Sequence, residues 1–153
     1  MNEITNFLNE DSIMVDCDSK SQKNALELIS NKMADLTSTN KDEIFQKLYE
    51  REKLGTTAFG NGIAIPHARI DGIKSAKIIM LKLNKAIDFN SIDSSKVDII
   101  MSLFVPNDNS EMHIELLSKI ASLLDNQIFR EKIRTANTAS DVMMIIKIGR
   151  AHV

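Results

Sequence analysis

The sequence predicts one α/β domain, with a small mixed β-sheet flanked by helices on both faces. Two segments, 76–83 and 97–105, are rich in Ile, Val, Leu and Met, and the second is almost wholly apolar. Such runs are typical of interior strands that are covered on both faces. Segments with apolar residues at helical spacing precede and follow them, and elements in this order indicate an α/β architecture. The order of the strands stays open.

Length and composition favour one soluble domain, which we assign to residues 1–147. The chain has 153 residues, of which 43% are hydrophobic and 26% are charged, enough to bury a core without disulfides or a structural metal. No run approaches the roughly 18 apolar residues of a membrane span, and the N terminus lacks the basic and apolar regions of a secretion signal. We therefore expect a cytoplasmic protein that does not insert into a membrane.

Charge and cysteine content argue against several classes of function. Nineteen basic and 21 acidic residues give a formal charge of −2, and because the basic residues are scattered, no nucleic-acid partner is expected. Cys17 is the only cysteine, and its neighbours Asp16 and Asp18 should raise the pKa of its thiol. A disulfide, a thiolate metal site and a cysteine nucleophile are therefore not expected.

The first half of the chain predicts a short helix, a strand and two long helices. The short helix falls in residues 1–11 and the strand in 12–15. The first long helix begins near Ser21, and its buried stripe follows the spacing i, i+3, i+7, i+10. That stripe consists of Leu26, Ile29, Met33 and Leu36. Asn40 and Glu43 resemble a capping box at the start of the second long helix.

The stretch 54–70 lies at the centre of the predicted arrangement and contains His67. Within it, 63–65 is a short apolar run between a pair of glycines and Pro66, which predicts a brief buried strand entered by a tight turn. Proline has no N–H and fixes its own φ, so we expect strand pairing to end at Pro66. The chain would then leave the sheet and present His67 at the end of the strand.

The second half of the chain predicts three helices after Pro106 ends the second apolar run. The dipeptide 109–110 offers an N-cap to a long helix, whose apolar stripe includes His113 when it is extended back by one turn. The stripe consists of Leu116, Leu117, Ile120 and Leu124. Shorter helical patterns follow at 128–133 and 140–146.

The last six residues, 148–153, correspond to the translation of a common sequencing-adapter sequence. We therefore expect them to form an artefactual tail outside the domain. His152 lies in this tail and is excluded as a candidate site residue.

Three residues are candidates for chemistry: Arg51, His67 and His113. Each also has an ordinary structural explanation. A lone histidine in a soluble domain is commonly structural, and His113 on an apolar stripe is typical of a core histidine bonded to a backbone carbonyl. Arg51 near the end of a helix is typical of a solvated helix end. The position of His67 after Ile-Pro, at a strand end, favours a functional role.

Three familiar kinds of site do not fit these residues. Zinc needs three or four ligands, and the sequence offers no third usable histidine, no second cysteine and no His-Glu-x-x-His spacing. The sequence contains no Gly-x-Ser-x-Gly motif, the turn that carries the nucleophile of many serine hydrolases. The two glycines at 60 and 62 are too closely spaced for a nucleotide-binding loop, and a Walker A lysine is missing. We therefore expect neither a metal nor a cofactor.

Phosphoryl transfer uses all three candidates together. Neutral imidazole is a good nucleophile near neutral pH, one of its nitrogens can attack while the other is held by a hydrogen bond, and a phosphorylated imidazole stays labile enough to pass the group on. The phosphoryl group brings roughly −1.5 to −2 charges, which require donors nearby. The predicted donors are Arg51, His113 and the backbone N–H groups of the Thr56-Thr57 turn.

These residues belong to a longer set of motifs that resembles the enzyme IIA family of the phosphoenolpyruvate-dependent phosphotransferase system, in its fructose, mannitol and nitrogen-regulatory branch. The resemblance covers nearly the whole chain. Its specific parts are Arg51-Glu52-Lys53-Leu54-Gly55-Thr56-Thr57, Gly60-Asn61-Gly62-Ile63-Ala64-Ile65-Pro66-His67, Ala86-Ile87-Asp88-Phe89, Val97-Asp98, Leu103-Phe104-Val105-Pro106 and His113-Ile114-Glu115-Leu116-Leu117. The chain departs from the commonest pattern at Thr56, where serine is frequent, and at Ala58-Phe59, where the turn is usually smaller.

The resemblance implies that His67 is the phosphoacceptor, through Nε2, and that His113 and Arg51 line the same site and stabilise the phosphorylated form. In this family the phosphoryl donor is a small histidine-containing phosphocarrier protein. The acceptor is the IIB domain of a sugar permease. In the nitrogen-type branch it is instead a regulatory target protein, and no chain of sugar-transport components follows.

Among the branches of this family we expect the nitrogen-type regulator. The chain carries no fused IIB or IIC segment, and residues 86–106 look most like that branch. A IIA component that phosphorylates the IIB domain of a fructose- or mannitol-type permease is the first alternative. A IIA-like binding module that never takes phosphate is the second.

Overall fold

The structure is a computed structural model that describes residues 3–108 and 110–149. In these ranges it contains five strands and six α-helices. The strands are β1 (Ile13–Cys17), β2 (Ile63–Ala64), β3 (His67–Ile70), β4 (Lys77–Ile87) and β5 (Val97–Pro106). The helices are α1 (Glu3–Asn6), α2 (Gln22–Thr37), α3 (Lys41–Leu54), α4 (Ser110–Asp125), α5 (Gln127–Thr135) and α6 (Ala139–Gly149). The predicted α/β class is confirmed.

The strands form one mixed sheet in the order β1-β4-β5-β2, and β3 pairs with β5 beyond β2. The two long strands β4 and β5 are antiparallel, whereas β1 lies parallel to β4 and both short strands lie parallel to β5. β2 and β3 share one register, since Ile63 faces Ile99 and His67 faces Leu103. Together they therefore form a single interrupted edge strand along β5.

Alternation of side chains along β5 explains why this strand is almost wholly apolar, with Asp98 and Ser102 as its polar residues. Ile99, Met101 and Leu103 pack into one core with α4, α5 and α6, and Ile100 and Phe104 pack into a second core with α2 and α3. All five side chains are fully buried. Because successive side chains of a strand point to opposite faces, a strand between two helical layers needs apolar residues on both of them. The sheet therefore lies between helices on both faces, as predicted.

The edge strand corrects one expectation, namely that pairing ends at Pro66. The Pro66 carbonyl accepts hydrogen bonds from the Leu103 N–H (3.0 Å) and from the Ser102 hydroxyl (2.9 Å). Pairing with β5 then resumes at His67. Proline removes only a donor, so its carbonyl keeps the ladder connected. The chain does not leave the sheet at this point, and His67 opens the second half of the edge strand.

The predicted helices are found, with small shifts at their ends. α3 begins after Asn40, whose side chain accepts hydrogen bonds from two N–H groups of the first turn, as predicted. α6 runs on to Gly149, so the helix includes the first two residues of the tail expected at 148–153. Residues 150–153 lie outside the described residues, as does Asn109, the first residue of the predicted N-cap pair 109–110. In the described part of the chain, no helix is both long enough and apolar enough to cross a membrane.

Candidate functional site

The structure brings Arg51, His67 and His113 together at the edge of the sheet. His67 is the first residue of β3, Arg51 lies in the last turn of α3, and His113 lies near the start of α4. All three residues are partly exposed, and they line one cleft of about 770 Å³. The cleft is also lined by Lys47, Glu50, Lys53, Leu54, Ala68, Arg69 and Asn107. The three candidates that the sequence singled out therefore face one open cavity.

The imidazole of His67 is held at both of its nitrogens. Nδ1 lies 2.8 Å from the carbonyl oxygen of Ile65, and Nε2 accepts a hydrogen bond of 3.2 Å from Nε of Arg51. A carbonyl can only accept and an arginine N–H can only donate. Both contacts therefore require the neutral tautomer with the proton on Nδ1, and they leave the lone pair on Nε2 at the side of Arg51.

The electrostatic environment keeps the His67 ring neutral. Burial lowers the pKa of His67, the hydrogen bond to the Ile65 carbonyl raises it, and the positive charge of Arg51 lowers it again. The net shift is downward from the ordinary value of 6.5. Near neutral pH the ring is therefore in the uncharged form, which is the form that acts as a nucleophile.

His113 lies edge-on against the ring of His67. The ring centroids are 5.2 Å apart and the ring planes make an angle of 85°. Burial, and after it the electrostatic interactions with His67, Arg69 and Arg51, lower the pKa of His113 to about 4. Its Nδ1 is buried and has no hydrogen-bond partner among the described residues. His113 is therefore a neutral ring with an unused polar atom beside the His67 imidazole.

Arg51 is fixed between the helix end and the histidine. Its Nη1 donates to the Gly55 carbonyl over 2.8 Å, while its Nε donates to His67. Basic residues at the end of a helix also interact favourably with the helix dipole. Lys47, Lys53 and Arg69 add positive charge to the same cleft, and Glu50 adds one negative charge. The cleft therefore favours an anion.

Thr56 and Thr57, the other predicted phosphate donors, are not part of the lining of this cleft. Thr57 is fully buried, and it donates its backbone N–H (3.2 Å) and its hydroxyl to the Glu52 carboxylate. The Thr56 hydroxyl donates to the Phe89 carbonyl over 2.9 Å and accepts from the Ala58 N–H over 3.1 Å. The donors of Thr57 thus serve Glu52, so the geometry does not support the predicted phosphate contact for this residue.

Two parts of the site were not foreseen from the sequence, namely the Ile65 carbonyl and the Glu52 carboxylate. The carbonyl selects the tautomer of His67, but every residue has such a group, so no sequence signal distinguishes it. Glu52 lies on a helix rich in charged residues and is only 9% exposed. A charged residue on such a helix is ordinarily assigned to the solvent side.

In chemical terms the site offers a nucleophile and several cations. Nε2 of His67 carries a lone pair, and Arg51 and the neighbouring basic side chains can bind the charge of an incoming anionic group. Among the described residues, no group of three or more His, Cys, Asp or Glu side chains is placed to hold a metal ion. The site therefore places an unprotonated ring nitrogen beside several cations in an open cleft.

Comparison with known sequences identifies the family. Residues 6–148 match the sequence model of the family described as "Phosphoenolpyruvate-dependent sugar phosphotransferase system, EIIA 2". Because the match spans most of the chain, the protein belongs to this EIIA family of the phosphotransferase system. The resemblance found in the motifs is thereby confirmed.

Individual relatives include proteins named nitrogen regulatory protein. That of Pseudomonas aeruginosa is 42% identical over 127 residues, which make up 82% of each chain. That of Bradyrhizobium diazoefficiens is 33% identical over 148 residues, or 97% of each chain. Among solved structures, nitrogen regulatory protein IIA-Ntr from Neisseria meningitidis matches with a TM-score of 0.90 at 31% identity, covering 95% of this chain and 99% of that chain. IIA mannitol from Escherichia coli shares the fold, with a TM-score of 0.78 at 16% identity over 91% of this chain and 98% of that chain.

Proposed function

We propose that the protein is a phosphohistidine carrier that accepts a phosphoryl group on Nε2 of His67. The observation that carries the proposal is the contact of 2.8 Å between Nδ1 of His67 and the Ile65 carbonyl. This contact places the ring proton on Nδ1 and leaves Nε2 as the nucleophilic atom. Membership of a phosphotransferase family supports the same chemistry.

In the proposed step, the Nε2 lone pair attacks the phosphorus atom of a phosphohistidine on the donor protein. The bond from phosphorus to the donor nitrogen breaks as the bond to Nε2 forms, and the electron pair of the broken bond returns to the donor ring. The proton on Nδ1 of His67 stays in its hydrogen bond to Ile65. The product ring is positively charged, so the carbonyl that selects the nucleophile also stabilises the product.

Arg51 and His113 would stabilise the phosphorylated form. The phosphoryl group brings roughly −1.5 to −2 charges. The N–H of Arg51 that donates to Nε2 already lies beside the place where the phosphoryl group would be bound. A dianion next to His113 favours the protonated ring, and so it opposes the lowering of the His113 pKa that burial and then the nearby basic groups cause. His113 would then donate to a phosphoryl oxygen. Each charge-assisted hydrogen bond contributes on the order of 1.5–3 kcal/mol.

The donor in this proposal is a small histidine-containing phosphocarrier protein, and the acceptor is a regulatory target protein. The relatives at 42% and 33% identity that are named nitrogen regulatory protein support a regulatory branch. The alternative acceptor is the IIB domain of a fructose- or mannitol-type permease. It is favoured by a weaker relative, the fructose-specific EIIA component of Haloferax volcanii, at 29% identity over 107 residues.

The test is reconstitution of the phosphoryl chain in solution. The protein is incubated with phosphoenolpyruvate, enzyme I and the phosphocarrier protein, and its intact mass is measured with and without the carrier. The expected result is a gain of one acid-labile phosphoryl group that depends on the carrier and maps to His67. No gain under conditions that phosphorylate another EIIA protein would refute the proposal. Adding isolated IIB domains to the phosphorylated protein then tests the branch, because rapid loss of the phosphoryl group to a IIB domain supports the permease alternative.

A further inference from the structure

We infer that Glu52 is a positioning residue for His67, acting through Thr57 and the backbone of Ile65. The inference rests on the proposed role of His67 as phosphoacceptor, but its structural part can be measured without any phosphate. Glu52 follows Arg51 on α3, is only 9% exposed and does not line the cleft. It is therefore a buried charged group beside the site that the proposed transfer step does not use.

A continuous chain of hydrogen bonds leads from the Glu52 carboxylate to the His67 ring. Thr57 donates both its backbone N–H (3.2 Å) and its hydroxyl to Glu52. The Thr57 carbonyl accepts from the Ile65 N–H over 3.1 Å, and the Ile65 carbonyl binds Nδ1 of His67 over 2.8 Å. β5 holds the neighbours of Ile65, through Ala64 and the Pro66 carbonyl. On the side away from β5, the Ile65 N–H is bound by Thr57, so the position of Ile65 on that side depends on where Glu52 fixes Thr57.

Gln22 holds the Glu52 carboxylate from α2. Its Nε2 donates to Oε2 of Glu52 over 3.2 Å, and its Oε1 accepts from Nδ2 of Asn90 over 3.1 Å. The contact with Asn90 fixes the orientation of the Gln22 amide, so its NH₂ group must face Glu52. Burial raises the pKa of Glu52, while the hydrogen bonds from Thr57 and Gln22 and the charge of Arg51 act against that rise. The carboxylate is therefore buried but fully engaged, as a rigid anchor requires.

The anchor also sets the position of His67 relative to Arg51. Arg51 and Glu52 are adjacent on α3, so one helical turn carries both the donor to Nε2 and the group that holds the segment bound to Nδ1. The two hydrogen bonds that define the tautomer are thus fixed to the same helix. Loosening the anchor should separate them and allow the proton to exchange between the two ring nitrogens.

The experiment compares two variants that break the anchor with two that keep it. Glu52→Met removes the acceptor and Thr57→Val removes the hydroxyl donor, while Glu52→Gln keeps one acceptor oxygen and Thr57→Ser keeps the hydroxyl. Glu27→Gln, at an exposed position of α2, is the matched control for loss of one negative charge. Nitrogen spectra of the His67 ring report the tautomer in the unphosphorylated protein, and the initial rate of phosphoryl uptake from the carrier is measured in parallel.

We expect mixed tautomers and a rate lowered by about tenfold or more in Glu52→Met and Thr57→Val. The conservative variants and Glu27→Gln should keep the Nδ1–H tautomer and a rate close to that of the wild type. An unchanged tautomer in a folded Glu52→Met or Thr57→Val protein would overturn the inference. If Glu52→Met does not fold, the tautomer of His67 in Thr57→Val decides the question. If the wild type takes no phosphate, the proposed function fails, while the ring spectra still decide the positioning role.

Discussion

Arg51 and His67 are joined by a hydrogen bond of 3.2 Å that runs from the guanidinium Nε to ring Nε2. The ring nitrogen that carries the lone pair thus faces a donor before any phosphate arrives. This donor opposes protonation at Nε2, because a protonated Nε2 could no longer accept the hydrogen bond from Arg51. When a bond to phosphorus forms at Nε2, the same N–H lies beside the phosphoryl oxygens. Arg51 therefore has an acceptor in both states of the proposed cycle.

Replacing Arg51 by lysine should slow phosphoryl transfer while leaving the fold intact. A single ammonium group cannot reach the Gly55 carbonyl and His67 with the fixed geometry that the guanidinium provides. We expect Arg51→Lys to lower the single-turnover rate by roughly ten- to a hundredfold. The free energy of unfolding should change by less than about 1 kcal/mol, because the residue is partly exposed. An unchanged rate would place Arg51 outside the chemistry.

The turn before β2 should be far less tolerant of a side chain at Gly62 than at Gly72. Both glycines have positive φ, +77° and +86°, so alanine should cost about 1–2 kcal/mol at either position. At Gly62 the new Cβ would also lie 2.5 Å from Nη2 of Arg134 and 3.0 Å from Oδ1 of Asp98, and it would disturb their ion pair. At Gly72 the nearest atom is 3.9 Å away, in Thr39.

Urea unfolding of Gly62→Ala and Gly72→Ala measures the difference directly. The larger loss of unfolding free energy should belong to Gly62→Ala, because only that variant combines backbone strain with displacement of Arg134. Equal losses would mean that the Arg134 side chain moves aside without a measurable penalty.

Local sequence patterns predicted the fold well where burial of apolar side chains determines the structure. The run in β5 is apolar because two cores require it, so composition alone indicates the strand. In β4 the apolar pattern ended at Leu83, whereas the strand continues through the exposed Asn84 and Lys85 to Ile87. After an irregularity in the register between Lys82 and Ile87, pairing with β5 resumes at Ile87, which faces Val97. The contribution of that pairing has no signature in residue type.

Of the candidate site, the sequence predicted only the side chains that can act as nucleophiles or bind anions. His67, Arg51 and His113 stood out by residue type and motif, and the structure brings them to one cleft. The fate of Thr57 could not be foreseen, because it depends on a buried Glu52 that reaches the turn through tertiary packing. The same holds for the Ile65 carbonyl, whose role follows from its position beside the ring.

The stability of the protein should depend on His113 under mildly acidic conditions. Its pKa is lowered from 6.5 to about 4 in the folded state, so between these values the unfolded chain binds more protons at this residue than the folded protein does. Protonation then favours unfolding, and stability falls as the pH is lowered through this window. His113→Gln removes this titration. Its free energy of unfolding should therefore fall less than that of the wild type between about pH 7 and about pH 5.

Urea titrations of both proteins at the two pH values provide the measurement. The other groups that titrate in this range, His67 included, are present in both proteins, so the difference between the two slopes reports His113. Parallel pH dependence would mean that His113 titrates normally in the folded protein.

The two histidines should fail in different ways when each is replaced by alanine. A nucleophile has no substitute, so His67→Ala should take no phosphate from the phosphorylated carrier. His113 stabilises the product in the proposal, and water, Arg51 or the N–H groups at the start of α4 can compensate in part. His113→Ala should therefore still accept phosphate, with a rate lowered by roughly ten- to a hundredfold.

The comparison requires that both variants are folded, which circular dichroism can establish before transfer is measured. Single-turnover transfer from the phosphorylated carrier is then followed side by side with the wild type. The two rings differ in a way that makes the outcome decisive, because Nδ1 of His67 is bonded to a carbonyl while Nδ1 of His113 has no partner among the described residues. Of the two rings, His67 has its tautomer fixed in the form that leaves Nε2 unprotonated. An acid-labile phosphoprotein from His67→Ala, together with an inactive His113→Ala, would reverse the assignment of the two histidines.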